Sequence, residues 1–147
     1  MSNNHVDGFS LLELLVALAL LGILTTLAWP SYRDSLTRAR RTEARDTLLA
    51  LQLAQEKFRG NCAFHAQALG AESVCGSDAA SSTLKMPLTV LPEHYELSIR
   101  SGSASASAYT LVATPIGIQA ADRGCAPLTL SVDAANPQGV RTPAACW

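Results

Sequence analysis

The first eight residues, Met1 to Gly8, contain no lysine or arginine. A secretory signal wants a basic start, an apolar stretch of about 7 to 15 residues and a small-x-small cleavage site, so this amino terminus does not read as one. Phosphate loops, His-Glu-x-x-His pairs and nucleophile elbows are missing, and the three histidines stand apart at positions 5, 65 and 94. Those absences remove the common enzyme signatures and leave no pattern that calls for a cofactor. Paired Cys-x-x-Cys spacing is absent too, which disfavours a metal site built from Cys62, His65 and Cys75, and we assign none. Charge of one sign is also lacking: the formal net charge is −1.

The chain does have a run from Phe9 to Trp29 whose one ionisable side chain is Glu13. At roughly 1.5 Å per residue this run makes a helix of about 30 Å, enough to cross the hydrocarbon core of a bilayer. A carboxylate there is unfavourable in lipid and marks a functional site in need of a partner. Local chemistry offers a second explanation, because Ser10-Leu11-Leu12-Glu13 is a capping-box pattern and a negative charge in the first turn suits the helix dipole. The segment itself reads as a removed signal, an ordinary membrane anchor, or a helix kept after a short leader is cut away. Its length and the poor site at Thr26-Leu27-Ala28 argue against the first.

Gly8-Phe9-Ser10-Leu11-Leu12-Glu13-Leu14 resembles the class III signal of type IV prepilins. The resemblance implies that a prepilin peptidase cuts between Gly8 and Phe9, that Phe9 is N-methylated, and that the apolar helix is retained. It implies an assembly role for Glu13, which in that family neutralises the new amine of a neighbouring subunit. Losing one partner of a buried charge is costly, so such pairing is physically sensible. A proline matching Pro30 bends the helix in the same family; here Pro30 removes the amide that would bond the carbonyl of Thr26. Trp29 and Tyr32 read as interfacial anchors.

Arg33, Arg38, Arg40, Arg41 and Arg45 follow the apolar run. By the positive-inside rule alone they would hold the C-terminal region in the cytoplasm. Four cysteines in a small domain argue the other way, for disulfides in an oxidising compartment. With the prepilin resemblance, which implies a single-pass protein of the bacterial inner membrane later carried to the pilus and cell surface, the cysteines lead us to expect a periplasmic C-terminal domain.

Beyond Pro30 the helical pattern continues to Arg59, with Gly60-Asn61 as stop signals. Leu48, Leu51, Ala54, Gln55 and Phe58 keep helical spacing, and Leu49 and Leu53 widen the apolar face. Arg38, Arg41 and Arg45 form a basic stripe that could meet DNA phosphates or an acidic neighbour. Asp34, Glu43 and Asp46 balance it and no aromatic residue interleaves it, so a solvated helix face is the favoured reading.

Residues 61–93 look loop-rich. His94 to Arg100 alternates polar and apolar side chains, while Tyr109 to Thr114 and Leu128 to Val132 supply two more candidate strands. His94 reads as a surface histidine at a strand start. Between the first two strands, Ser101 to Ala108 is low in complexity and small in every side chain, which predicts a mobile loop. Three strands with short connections favour an antiparallel sheet covered by the apolar half of the helix.

Four cysteines allow three connectivities. Residues Tyr109 to Pro115, Gly124 to Leu130 and terminal Cys146-Trp147 resemble the C-terminal half of PilE-type minor pilins. That resemblance guides a Cys125–Cys146 pair stapling a so-called D-region to the sheet, and we expect Cys62 with Cys75 beside it. Trp147 is expected to pack next to the terminal disulfide.

The expected fold is thus α+β, the type IV pilin fold: leader 1–8, membrane and assembly helix 9–29, amphipathic helix 30–59, αβ loop 60–93, and sheet with D-region 94–147. The expected function is that of a non-enzymatic minor pilin that primes or joins a pilus used in adhesion and twitching motility. Its partners would be other major and minor pilins, the peptidase, the inner-membrane assembly platform and lipid, with DNA a minor possibility. A type II secretion pseudopilin, a major pilin and a bitopic periplasmic adaptor without a filament are the alternatives.

Overall fold

The computed structural model describes residues 10–86 and 92–147. A helix, α1, runs from Leu11 to Arg59 with Pro30 inside it, and the chain divides into two units, Met1–Leu36 and Thr37–Trp147. In the first unit, residues 10–35 are exposed throughout. The helix contains an 18-residue window of mean hydropathy 2.4, none of it buried, which by length and composition can cross a membrane. Thr25 and Thr26 turn their hydroxyls onto the carbonyls of Leu21 and Ile23, both at 2.7 Å, so neither leaves a donor facing lipid.

In the second unit, Ala44, Leu48, Leu51, Gln55 and Phe58 are the buried stripe of α1, at spacings of three and four residues. Leu49 and Leu53 do not widen it. At 100° per residue they fall on the opposite side, and they are 38% and 72% exposed.

The stripe packs on a four-stranded antiparallel sheet in sequential order: β3 (Tyr95–Ile99), β4 (Tyr109–Pro115), β5 (Leu128–Val132) and β6 (Val140–Thr142). Period-2 alternation sends Tyr95, Ile99, Tyr109, Leu111, Ala113, Leu128, Leu130 and Val132 into the core. The register sets Ile99 opposite Leu111 and Leu111 opposite Leu130, so one apolar row crosses three strands. The β5–β6 turn is closed by Asp133, whose Oδ1 accepts from the amides of Ala135 and Asn136 at 2.8 Å, and by Gly139 at φ +83°.

The expected α+β arrangement is present, with additions. Within the region read as loop, β1 (Ala68–Gly70) and β2 (Thr83–Lys85) pair in parallel. Strand β6 was not foreseen either; all three of its residues are exposed, so it carries no alternation.

Candidate functional site

Gly8 and Phe9, where cleavage and N-methylation are expected, lie outside the described residues. Glu13 occupies the first turn of α1 and is exposed among Leu11, Leu12, Leu14 and Leu15, each more than half exposed. The Trp29 and Tyr32 rings lie 6.4 Å apart at the far end of the apolar run. The surface these residues offer is a cylinder of aliphatic side chains with one carboxylate. Such a surface is suited to association, with lipid or with other helices, because its aliphatic side chains have no partner within the first unit among the described residues.

The three arginines do not act as one basic stripe. Arg41 is turned onto Asp122, its Nη2 donating to Oδ1 at 2.7 Å and its Nε donating to Oδ2, a bidentate pair of two largely covered side chains. Arg45 donates to the Thr42 hydroxyl at 2.7 Å, and Arg38 is engaged as well. Asp122 sits between two short 3-10 turns, Gly117–Ala121 and Arg123–Cys125, that connect β4 to β5. Gln119, fully buried there, donates to Tyr95 Oη and Asp122 Oδ2, each at 3.1 Å. Burial pushes the Tyr95 phenol up from its ordinary value. Sequence reasoning missed Gln119 and Asp122; the charge complementarity of Arg41 and Asp122, 81 residues apart, has no periodic signal.

The disulfides are Cys62–Cys75 and Cys125–Cys146. The second ties the connection after β4 to the chain's end, where Trp147 donates its indole N–H to the Thr142 carbonyl at 3.2 Å and Arg141 lies over the ring at 5.6 Å. Beside the first, a cleft of about 540 Å³ is lined by Lys57, Phe58, Asn61, Lys85 and Met86. It brings together two exposed lysines from α1 and β2.

Ser101 to Ala108, which its composition predicts to be a mobile loop, is fastened by hydrogen bonds from neighbouring segments. The Arg59 guanidinium donates to the carbonyls of Ala106 and Cys62, both at 2.8 Å. The Gln67 side chain bridges it by donating to Arg100 O and accepting from the Ala104 amide. The His65 amide donates to Ser105 O at 2.9 Å.

Comparison with known proteins gives this geometry its context. The family described as "Type IV minor pilin ComP, DNA uptake sequence receptor" matches residues 30–129, well over half of the 147-residue chain. The chain belongs to this minor pilin family. The prokaryotic N-terminal methylation motif matches residues 3–29 of the pilin, the stretch that carries Gly8, Phe9 and Glu13.

The type IV major pilin protein PilA of Myxococcus xanthus is 39% identical over 56 residues, covering 38% of this pilin and 26% of PilA. A fimbrial protein of Moraxella nonliquefaciens is 44% identical over 41 residues, 28% of this pilin and 27% of the relative. The pilin thus spans about a quarter of the length of these curated relatives. No solved structure matches it. The long apolar helix, small antiparallel sheet and two disulfides are together consistent with the type IV pilin fold, and membrane anchoring and pilus surface follow from the family and the helix.

Proposed function

We propose that this pilin is a minor subunit of a type IV pilus that primes assembly or enters the filament. The observation that carries the reading is the uncovered apolar helix with Glu13 as its lone carboxylate behind a methylation motif. Cleavage between Gly8 and Phe9 frees an amine, Glu13 of one subunit neutralises the amine of its neighbour, and lipid contacts are exchanged for helix contacts. Pro30 frees one carbonyl of the helix from its intrahelical bond and lets it bend as it moves. Leu49 and Leu53, turned away from the pilin's own sheet, give neighbouring subunits a further apolar contact. The chain crosses the inner membrane once with its disulfide-bonded domain in the periplasm. It performs no catalysis, and adhesion and twitching motility are properties of the filament it helps to build.

The test is a strain lacking the protein. Loss of surface pili with protein secretion intact supports the proposal. Normal piliation with failed secretion reassigns the chain to a type II secretion pseudopilin, and an uncut amino terminus to a bitopic adaptor. Dominance of sheared surface fibres by this chain would make it a major pilin.

A second reading, DNA binding, is supported by the family's description as a DNA uptake sequence receptor. Lys57 and Lys85, which share a cleft, are better placed for it than the arginines, because Arg41 is already paired with Asp122. If both lysines neutralise phosphates, replacing them with alanine weakens DNA retention and lowers the salt slope by about 1.8. An unchanged slope removes the lysines from this reading.

A further inference from the structure

His65 is 4% exposed and its Nδ1 is buried without a hydrogen-bond partner. Its ring packs on Tyr109 with centroids 4.5 Å apart, and the Tyr109 hydroxyl donates to Glu56 Oε1 at 2.7 Å. Its own backbone amide is one of the bonds that fasten Ser101–Ala108, through the Ser105 carbonyl. The histidine thus stands where helix α1, strand β4 and the serine-alanine loop meet, and the loop has no titratable side chain of its own.

We propose that His65 is an acid-sensitive catch: when its imidazole takes up a proton, the 62–67 segment lets go of the Ser101–Ala108 loop. The charged or titratable groups that face the ring are Glu56 and Arg59 from α1 and Tyr109 from β4. Desolvation outweighs the attraction of Glu56 and the hydrogen bond to the Gln55 backbone and holds the imidazole below its ordinary value of 6.5, with Arg59 adding to the effect. A histidine depressed in the folded form takes up its proton more readily once exposed. The fastening is therefore complete above about pH 6.5 and weakens as pH falls below it. Arg59 and Gln67 hold the loop through backbone carbonyls until His65 opens the segment between them.

The test is amide hydrogen exchange on the full chain in detergent micelles at pH 7.5 and pH 5.0, corrected for intrinsic rates, read at Ala104 and residue 65. Opening that exposes a histidine of ordinary affinity becomes roughly 10- to 30-fold more frequent at pH 5.0. His65→Phe keeps a ring against Tyr109 and removes the proton site, so its exchange at Ala104 changes no more than about 2-fold. Unchanged protection in the native chain, or an equal loss in the phenylalanine variant, overturns the proposal. The imidazole's own titration by NMR decides it independently of whether that variant folds. A midpoint below 6.5 that coincides with loop opening supports the catch, and a midpoint at or above 6.5 overturns it.

Discussion

Arg41 of the long helix and Asp122 of the β4–β5 connection form a bidentate ion pair across 81 residues of sequence. The pair fixes a stretch with little regular structure against the helix, and Gln119 and Tyr95 complete the network around it. It also removes from the helix surface an arginine whose spacing alone suggested a role in ligand binding.

Replacing Arg41 with alanine strands Asp122 beside buried Gln119. The expected cost is about 2 kcal/mol, seen as a drop of several degrees in the melting temperature of the detergent-solubilised chain. A change below about 0.5 kcal/mol would mean that the pair is a surface contact of no consequence.

Each disulfide closes a loop, of 13 residues for Cys62–Cys75 and 21 for Cys125–Cys146. By the chain-entropy relation, removing either by paired serine substitutions costs about 3 kcal/mol. Denaturant titration checks this, and a loss of under 1 kcal/mol for the C-terminal pair would show that the sheet does not depend on its staple.

Tyr109 and Tyr95 both hold their protons to higher pH than a free tyrosine, chiefly because burial disfavours the phenolate, and Glu56 adds to the effect at Tyr109. The unfolded chain gives up these protons first, so stability is full below pH 10 and falls as pH rises above it. Tyr109→Phe is expected to cost about 1 kcal/mol at neutral pH, through the lost bond to Glu56, and to shallow the alkaline decline. An identical decline in the variant would rule out Tyr109 as its source.

Several elements are legible in the chain itself. The helix stops at Arg59 because Gly60-Asn61 follows, and Leu128 to Val132 alternates cleanly enough to be read residue for residue. Strand β1, Ala68-Leu69-Gly70, has neither length nor alternation, and β6 is a short exposed edge; both exist through the strands they pair with rather than through a pattern of their own. The fastening of the serine-alanine loop is illegible for a related reason. Its small side chains say nothing of Arg59, His65 and Gln67, which hold it through backbone groups. Leu49 and Leu53 count as apolar in any window, yet a helical wheel centred on Leu48, Leu51 and Gln55 leaves them outside.

Glu13→Ala keeps the residues around Gly8 and is expected to leave cleavage largely intact while sharply reducing the protein in sheared pili. Immunoblots of cell and shear fractions measure both. Wild-type incorporation of the variant would withdraw the charge-pairing role.

The central claim is that the apolar helix begins a processed pilin rather than an ordinary anchor. Intact mass of the membrane-purified chain, with and without a co-expressed prepilin peptidase, tests it most directly. The expected product with the peptidase starts at a methylated Phe9 and lacks Met1 to Gly8. A chain that still begins at Met1 in its presence would make the helix a simple membrane anchor and leave Glu13 without its partner.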